Sequence, residues 1–393
     1  MQNDITQLNI PIGWKRTTLG KIASITNGST NTQDAVADGA YPLFDRSVEI
    51  KKSSKYLFDD TAIILPGEGA EFVPKIYSGK FDLHQRAYAI FPNKSIVSTE
   101  YLYHFLYANR KDFAQKSVGS TVRSLRLPLI QSVGVSIPPI KEQQKIAEIM
   151  GTVDEDIAKT QEVIKASEKL KRGLMQQLFT RGIGHTKFKV TKIGQIPDEW
   201  EVLELGKVCD VRDGTHSSPK YHEEGVPLIT SKNLVDTTLD FENVSLISEI
   251  DFREIEKRSK VDDGDILFGM IGTIGNPVIV KKDRDFAIKN VALIKFADSK
   301  MNNVFALNFL KSTHTEKQFN QKKGGSTQKF IALGVIRQIL ITVPSITEQK
   351  EIAEILSSID EKIMVNRKLK EKFTLLKKGL MWDLLSGKVR TSI

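Results

Sequence analysis

The segment best suited to binding an anionic ligand is a basic, glycine-containing loop. It reads Lys322-Lys323-Gly324-Gly325-Ser326-Thr327-Gln328-Lys329. Lysine side chains attract anions, and glycines let a backbone approach a phosphate closely. A shorter relative, Gly119-Ser120-Thr121, lies upstream and is followed by Arg123 and Arg126. Both loops therefore predict phosphate contacts, with Thr121 and Thr327 as matching hydroxyl donors.

The single cysteine does not suggest a metal or redox site. Cys209 excludes an internal disulfide and supplies only one thiolate. His216 and His222 follow it and are the alternative ligands, but their spacing matches no standard metal pattern. We therefore expect no metal in this chain.

Familiar catalytic motifs are missing from the sequence. The Asn-Pro-Pro-Tyr or Asp-Pro-Pro-Tyr stretch that holds a flipped adenine does not occur, and Gly275-Asn276-Pro277-Val278 is the nearest match. There is also no Gly-x4-Gly-Lys-Ser/Thr loop for ATP. Gly269, Gly272 and Gly275 could suggest a cofactor loop, but no convincing helix follows, so we favour a structural turn. No catalytic residue is predicted, and catalysis is expected from another chain.

The elements that must position these loops occur twice. Trp14 with Leu19-Gly20-Lys21 returns as Trp200 with Leu205-Gly206-Lys207. Ile137-Pro138, Glu142-Gln143 and Ile146-Ala147-Glu148-Ile149 return as Val343-Pro344, Glu348-Gln349 and Ile352-Ala353-Glu354-Ile355. The interval from Trp200 to Gly325 exceeds that from Trp14 to Gly119, so the second copy has extra residues in its middle. The chain is one module used twice.

Each module is predicted to begin with an α+β domain. Residues 61–65 and 264–268 are apolar runs bounded by paired aspartates and glycines, which is typical of buried strands. Helices are expected over 98–110 and 304–314. We predict two tandem domains, residues 1–140 and 184–345, each followed by a long helix over 141–183 and 346–393.

The long helices carry matched apolar stripes. Spacings of three and four residues persist for about 40 residues, or about 60 Å. The residues expected to pack are Ile146, Val153, Ile157 and Leu174 in the first helix and Ile352, Ile359, Ile363 and Leu380 in the second; Leu170, Leu369 and Leu376 belong to the same stripes. Two matched stripes favour an antiparallel coiled-coil spacer with approximate two-fold symmetry, although each helix could instead pack on its own domain. Gly173 and Gly379 predict a kink or a close crossing.

Composition supports two ordinary folded domains. The chain has 393 residues, 40% hydrophobic content and a net charge of +9 with a pI near 9.2. No apolar run is long enough for a membrane span, and the N-terminus does not resemble a signal peptide, so we expect a cytoplasmic protein without membrane contact. The positive charge favours a polyanionic partner, though ordinary soluble proteins also carry such a charge.

Two domains on a rigid spacer suit a long, regular partner such as duplex DNA, whose half-sites one helical turn apart lie roughly 34–36 Å from each other. Because the two copies differ most in their middles, the half-sites should differ in sequence. Arginine, amide and hydroxyl side chains read base edges, and lysines hold phosphates. The candidate DNA contacts are Arg46, Gln85, Arg86, Thr121, Arg123, Arg126, Arg212, His216, Lys232, Asn233, Asn290, Lys322, Lys323, Thr327, Gln328 and Lys329. A solvated surface role is the alternative for each of them.

The duplicated motifs resemble those of the specificity subunits of type I restriction-modification systems. The resemblance covers essentially the whole chain and rests on the Trp-x4-Leu-Gly openings, the Gly-Ser-Thr loops, the Glu-Gln-x2-Ile-Ala-Glu-Ile helix starts and the later Gly-Leu-Met. It implies a non-catalytic subunit that reads a split, asymmetric DNA site with one target-recognition domain per half. It also implies two methyltransferase subunits and restriction-translocase subunits as partners. S-adenosylmethionine, ATP and Mg²⁺ would then bind to those partners, and the complex would lie on the nucleoid of a prokaryote.

Two other functions compete with this interpretation. A coiled-coil scaffold with two protein-binding domains would explain the duplication and the helices equally well. A specificity subunit of a different two-subunit restriction system would share the DNA-reading role with another catalytic partner. Salt-dependent binding to duplex DNA would argue against the scaffold.

Overall fold

The chain folds into two compact units. The computed structural model describes residues 11–119, 122–272, 274–297, 299–322 and 330–391. Unit 1 comprises Met1–Glu162 and Arg367–Ile393, and unit 2 comprises Val163–Asn366. Each unit therefore contains one mixed α/β domain and a part of each long helix.

Unit 1 is built on a six-stranded sheet. Its elements, in chain order, are β1 (Lys15–Thr18), α1 (Leu19–Ile22), β2 (Ala23–Asn27), β3 (Tyr41–Phe44), β4 (Lys51–Ser53), β5 (Phe58–Pro66), β6 (Lys75–Leu83), β7 (Ala87–Pro92), α2 (Thr99–Ala108), α3 (Arg110–Lys116), α4 (Leu127–Gln131), β8 (Gly134–Ile137) and the long helix α5 (Ile140–Arg181). The sheet order is β2-β7-β5-β6-β3-β4, and only β3 and β6 pair in parallel. β1 pairs antiparallel with β8. The apolar run predicted at 61–65 is the buried centre of β5.

Unit 2 repeats this frame with additions. Its elements are β9 (Phe188–Thr191), β10 (Gly194–Pro197), β11 (Glu201–Glu204), α6 (Leu205–Val208), β12 (Asp210–Asp213), β13 (Val226–Ile229), β14 (Leu234–Val235), β15 (Thr238–Leu239), β16 (Ser245–Ile247), α7 (Glu249–Ser259), β17 (Ile266–Gly269), β18 (Gly275–Ile279), β19 (Ala287–Ile288), β20 (Val291–Lys295), α8 (Asn303–Leu310), α9 (Thr313–Lys322), α10 (Leu333–Arg337), β21 (Leu340–Val343) and the long helix α11 (Ile346–Leu385). The main sheet order is β12-β20-β17-β18, and β16-β13-β19 form a second sheet.

The pairing of strands shows which elements correspond. β11 with β21 repeats β1 with β8, and the parallel pair β13 with β19 repeats β3 with β6. The β14–β15 hairpin lies between β13 and β16, and α7 lies between β16 and β17, where unit 1 has only short connections. These insertions account for the longer middle of the second copy.

Gly269 ends β17, Gly275 begins β18 and Gly272 lies between them, so these glycines belong to a β-hairpin, in agreement with the predicted structural role. Gly269 pairs with Gly275 across the antiparallel strands, and Gly272 has a φ of +74°. The chain continues from this hairpin into a strand and not into a helix. The alternative interpretation of these glycines as a cofactor loop, which requires a helix directly after the loop, is therefore wrong.

The two long helices pack against each other, antiparallel within each unit. In unit 1, the Gln161 side chain accepts from Lys370 at 2.6 Å, and Asp154 forms an ion pair with Lys377. Asp154 lies seven residues before Gln161 on α5, whereas Lys377 lies seven residues after Lys370 on α11, so the helices run in opposite directions. In unit 2, Lys171 donates to Asp360 at 2.6 Å. Of the predicted packing residues, Ile146, Val153, Ile352 and Ile363 are buried, and Ile157, Leu174, Ile359 and Leu380 are half-buried. Leu170, Leu369 and Leu376 are instead exposed, so the expected stripe was too wide.

The glycines inside the helices do not mark close crossings. α5 and α11 run unbroken through Gly173 and Gly379, and a Cβ at either position would meet nothing within 4 Å. The predicted close crossing is therefore wrong in both units, and each glycine weakens its helix. We expect Gly173→Ala to raise the free energy of unfolding by about 1 kcal/mol, measured by urea denaturation.

Gly182→Ala is the control for this prediction, because the same substitution is expected to destabilise the protein there. Gly182 follows α5 with a φ of +62°, and a Cβ there would come within 2.4 Å of the Glu348 Oε1. Its replacement should lower stability. A destabilising Gly173→Ala would show that a further group packs against that turn of α5.

No helix in the described ranges is long and apolar enough to cross a membrane.

Candidate functional site

The first-domain candidates gather around Glu68, which follows β5. Its side chain is only 13% exposed and accepts from Arg86 Nη1 at 2.5 Å, with Arg46 Nη1 at 3.8 Å. Gln85 precedes Arg86 in the turn between β6 and β7, and its Nε2 donates to Asn31 Oδ1 at 2.5 Å. Arg46, Glu68, Gln85 and Arg86 line one surface cavity. Both guanidinium groups remain more than half exposed and can still meet an anion.

Arg123 and Arg126 lie on the segment beside this cavity. The Arg123 carbonyl accepts from the Gly69 amide at 3.0 Å, which holds the segment next to the residue that follows Glu68. The Arg123 side chain is exposed and donates to the Ala114 carbonyl at 2.8 Å. Arg126 is exposed at the start of α4. Thr121, the predicted phosphate donor, lies outside the described residues.

His216 and Asn290 of the second domain form a comparable cluster with Asp213. Asp213 ends β12, is 8% exposed at its side chain, and contacts His216 Nε2 at 2.8 Å. It also binds Arg258 from the inserted helix α7. The other ring nitrogen of His216 lies 2.9 Å from Asn290 Oδ1. Arg258 and Asp213 were not predicted, because α7 has no counterpart in the first copy and a buried carboxylate gives no DNA-reading signal by itself.

The environment of His216 favours its cationic form. Hydrogen bonds to Asn290 and then to Asp213 raise the pKa of the imidazole above its ordinary value. Both ring nitrogens face oxygen acceptors, so both can donate only when the ring carries two protons. The cluster therefore presents Arg258 and a histidine biased towards the cation from one buried carboxylate.

The remaining described candidates of the second domain have different surroundings. Arg212 is bound to Asp210 through Nε at 2.8 Å and Nη2 at 2.6 Å. Lys232 is exposed. Asn233 is 4% exposed, and its amide caps a loop, accepting from Thr230 and donating to the carbonyls of Asp240 and Asn243. The prediction for Asn233 is corrected, because a buried amide with these internal bonds cannot reach a base.

The basic loop falls mostly outside the described ranges. Lys322 is the last residue of α9. Lys323, Thr327, Gln328 and Lys329 lie outside the residues that the structure describes, so their phosphate contacts remain predictions.

The recurrent Trp and Glu-Gln motifs fasten each domain to a helix start. Glu142 is fully buried and accepts from Trp14 Nε1 at 3.2 Å and from Arg390 Nε at 2.7 Å. The following Gln143 donates to the Pro138 carbonyl at 2.9 Å and accepts from the Ser98 amide at 2.7 Å. The same arrangement recurs in unit 2. These motifs therefore act as structural joints between domain and helix.

In unit 2, Glu348 takes the place of Glu142. Its Oε2 accepts from Trp200 Nε1 at 2.9 Å, and its Oε1 accepts from the Ile183 amide at 2.9 Å. His185 stands where Arg390 stands in unit 1, three residues after the glycine that ends the helix, and its Nε2 lies 3.0 Å from Glu348 Oε1. The repeated Trp and Glu mark this position in the sequence, but the residue that completes it differs between the copies, Arg390 in unit 1 and His185 in unit 2.

Cys209 and His216 have different hydrogen-bond partners. It is buried next to Ser299, whose Oγ lies 3.6 Å from the sulfur, and burial raises its pKa to about 11. His216 is instead engaged with Asp213 and Asn290. Across the described part of the chain, no group of three or more His, Cys, Asp or Glu side chains is arranged to hold a metal ion.

Comparison with known proteins gives a consistent family match. The family model described as type I restriction modification DNA specificity domain matches residues 11–166 and again 197–375. The MjaVIII specificity subunit of a type I restriction enzyme from Methanocaldococcus jannaschii is 27% identical over 407 residues, covering 98% of this chain and 94% of that protein. The putative MjaX specificity subunit from the same organism is 30% identical over 335 residues, covering 80% and 74%. The two matched ranges agree with the internal duplication.

The fold is also similar to that of a solved protein. The S subunit of a type I restriction-modification system from M. genitalium superposes with a TM-score of 0.66 at 15% identity, covering 96% of this chain and 97% of that one. At this identity the similarity concerns the fold alone. It agrees with two mixed α/β domains and two long helices.

Proposed function

Since the chain belongs to the family of type I restriction-modification DNA specificity domains, we propose that it reads a bipartite, asymmetric DNA site, one half with each α/β domain. The observation that carries this proposal is a duplicated frame with different polar clusters at matching places. The first domain presents Arg46, Gln85 and Arg86, and the second presents His216, Arg258 and Asn290. Clusters that differ in side-chain length and in the placement of their cations would fit half-sites that differ in sequence.

The same proposal assigns catalysis to other subunits. The sequence contains neither an adenine-holding Asn-Pro-Pro-Tyr nor an ATP-binding Gly-x4-Gly-Lys-Ser/Thr stretch. Methyltransferase subunits would dock on this chain and modify the site, and restriction-translocase subunits would join them. S-adenosylmethionine, ATP and Mg²⁺ would bind to those partners. This chain would supply the sequence specificity.

Charge supports a nucleic-acid partner over the scaffold alternative. The net charge is +9, and Arg46, Arg86 and Arg258 remain more than half exposed although each has a carboxylate neighbour. Exposed guanidinium groups can bind phosphates or guanine, and displacement of counterions makes such binding weaken with salt. A protein-binding scaffold would show no comparable dependence on salt with duplex DNA.

Mapping of N6-methyladenine across the host genome tests the proposal. We expect a split, asymmetric motif that is methylated when this gene is present and unmethylated when it is deleted. Return of the gene on a plasmid should restore the same motif. If no motif changes while a partner methyltransferase is expressed, the DNA-reading assignment is wrong and the scaffold function is favoured.

A further inference from the structure

The two domains place one amide side chain at the same corner of the frame. In unit 1, the backbone N–H of Gln85 donates to the Thr30 carbonyl at 2.9 Å, and the backbone N–H of Thr30 donates to the Leu83 carbonyl at 3.2 Å. In unit 2, the backbone N–H of Asn290 donates to the Thr215 carbonyl at 3.2 Å, and the backbone N–H of Thr215 donates to the Ile288 carbonyl at 3.0 Å. Gln85 and Asn290 are therefore equivalent, although the sequence repeat does not align them.

The partners of the two amides are equivalent as well. Gln85 binds Asn31, the residue after Thr30, and Asn290 binds His216, the residue after Thr215. These bonds orient each amide without using all of its capacity. Among the described residues, nothing binds Gln85 Oε1 or its second Nε2 hydrogen, and nothing binds the Nδ2 hydrogens of Asn290 or the second lone pair of its Oδ1. A side-chain amide with a free acceptor and a free donor matches adenine, whose N6 amine donates and whose N7 accepts.

Each corner also contains a carboxylate that holds two cationic groups towards solvent. Glu68 follows β5 in unit 1, and Asp213 ends β12 in unit 2, so the two carboxylates come from non-equivalent positions. Glu68 holds Arg46 and Arg86, and Asp213 holds His216 and Arg258, all four of them at least 56% exposed. Two different sets of residues thus place exposed cationic groups near the equivalent amides Gln85 and Asn290.

We propose that these two corners are the base-reading points of the domains, with Gln85 and Asn290 each contacting an adenine in its own half-site. Arg46, Arg86, Arg258 and His216 are positioning residues that bind the flanking phosphates. Glu68 and Asp213 act through them, by fixing the direction of the cations. The inference rests on the proposed function and adds the residues that carry the specificity.

Substitution of each amide in the full chain tests this assignment. Asn290 has a φ of +54°, so Asn290→Gly removes its side chain without imposing backbone strain. Gln85→Ala serves in unit 1. Each variant replaces the native gene in the host, and methylation is mapped again. Gln85→Ala should relax one base position in one half-site, Asn290→Gly one position in the other, each with roughly ten- to hundred-fold loss of discrimination.

Matched controls separate reading from folding. Gln144→Ala removes an exposed amide on α5, and Asp236→Gly removes an exposed side chain at a φ of +50°. Both should leave the motif unchanged. If an amide variant methylates nothing, its complex with the methyltransferase is purified. Its affinity is then measured for a set of duplexes in which each half-site base is replaced in turn. Loss of discrimination at a single position supports the corner as reader, and an unchanged profile or loss of all binding overturns it.

The outcome is distinguishable from failure of the proposed function. If both variants methylate the complete wild-type motif with wild-type discrimination, or both alter the same half-site, the corners are not the reading points. The gene deletion would still abolish methylation in that case, so the chain would remain a DNA reader that uses other residues.

Discussion

Glu348→Ala is expected to lower the free energy of unfolding by about 3–5 kcal/mol, because it leaves a buried donor cluster without its acceptor. Trp200 Nε1, the Ile183 amide and His185 Nε2 all lie within 3.1 Å of this one carboxylate. The side chains of His185 and Glu348 are 15% and 11% exposed, so water replaces the lost oxygens poorly. Urea denaturation of the full chain, with hydrogen exchange to follow each unit, gives the measurement.

Two further variants test the mechanism. Glu351→Ala removes an exposed acidic side chain from the next turn of α11 and should change stability by less than about 0.5 kcal/mol. Glu348→Gln keeps the shape but turns an NH₂ group towards donors, so it should fall between the two. If Glu348→Ala matched Glu351→Ala, the three donors would have found water, and the joint would not stabilise unit 2.

Local pattern explains why the long helices were predictable from sequence. Apolar positions recur along α5 and α11 for ten or more turns, and the Pro138-Pro139 and Pro344 boundaries mark where each helix can start. Burial could not be read as reliably, because Leu170, Leu369 and Leu376 fit the period but are exposed. The periodicity of apolar residues predicts the helix, whereas the packing partner determines which of those apolar residues are buried.

Contacts between residues far apart in the sequence could not be predicted from it. Glu142 looked like an ordinary acidic residue in a first helical turn, yet its bidentate partner Arg390 is near the other end of the chain. Asn233 had the right chemistry for a base contact, but capping bonds within its loop bury it. In the candidate site, Gln85 and Asn290 were selected by residue type, whereas Glu68, Asp213 and Arg258 became visible only when the strands brought them together.

Acidification is expected to destabilise unit 1 through His104, whose imidazole is buried without charge. Burial is the main cause that lowers its pKa from 6.5 to about 4, assisted by Lys377 and opposed by Asp154. Asp154 lies 3.8 Å from His104 Nδ1, but it is already bound to Lys377, whose ammonium lies 4.1 Å from the centre of the Tyr107 ring. Among the described residues His104 Nδ1 has no hydrogen-bond partner, so the 3.8 Å approach of Asp154 is not an ion pair with the neutral ring.

The sign of this pH effect follows from proton uptake by the unfolded chain. Between pH 6.5 and 4 an unfolded histidine binds a proton that native His104 does not, so unfolding is favoured progressively as pH falls. The expected loss over that window is about 3 kcal/mol for unit 1. His104→Gln should remove this part of the pH dependence, whereas His222→Gln, which changes an exposed histidine, should leave it intact. An unchanged slope in His104→Gln would mean that native His104 takes up its proton as readily as the unfolded chain, with Asp154 then sharing its charge between His104 and Lys377.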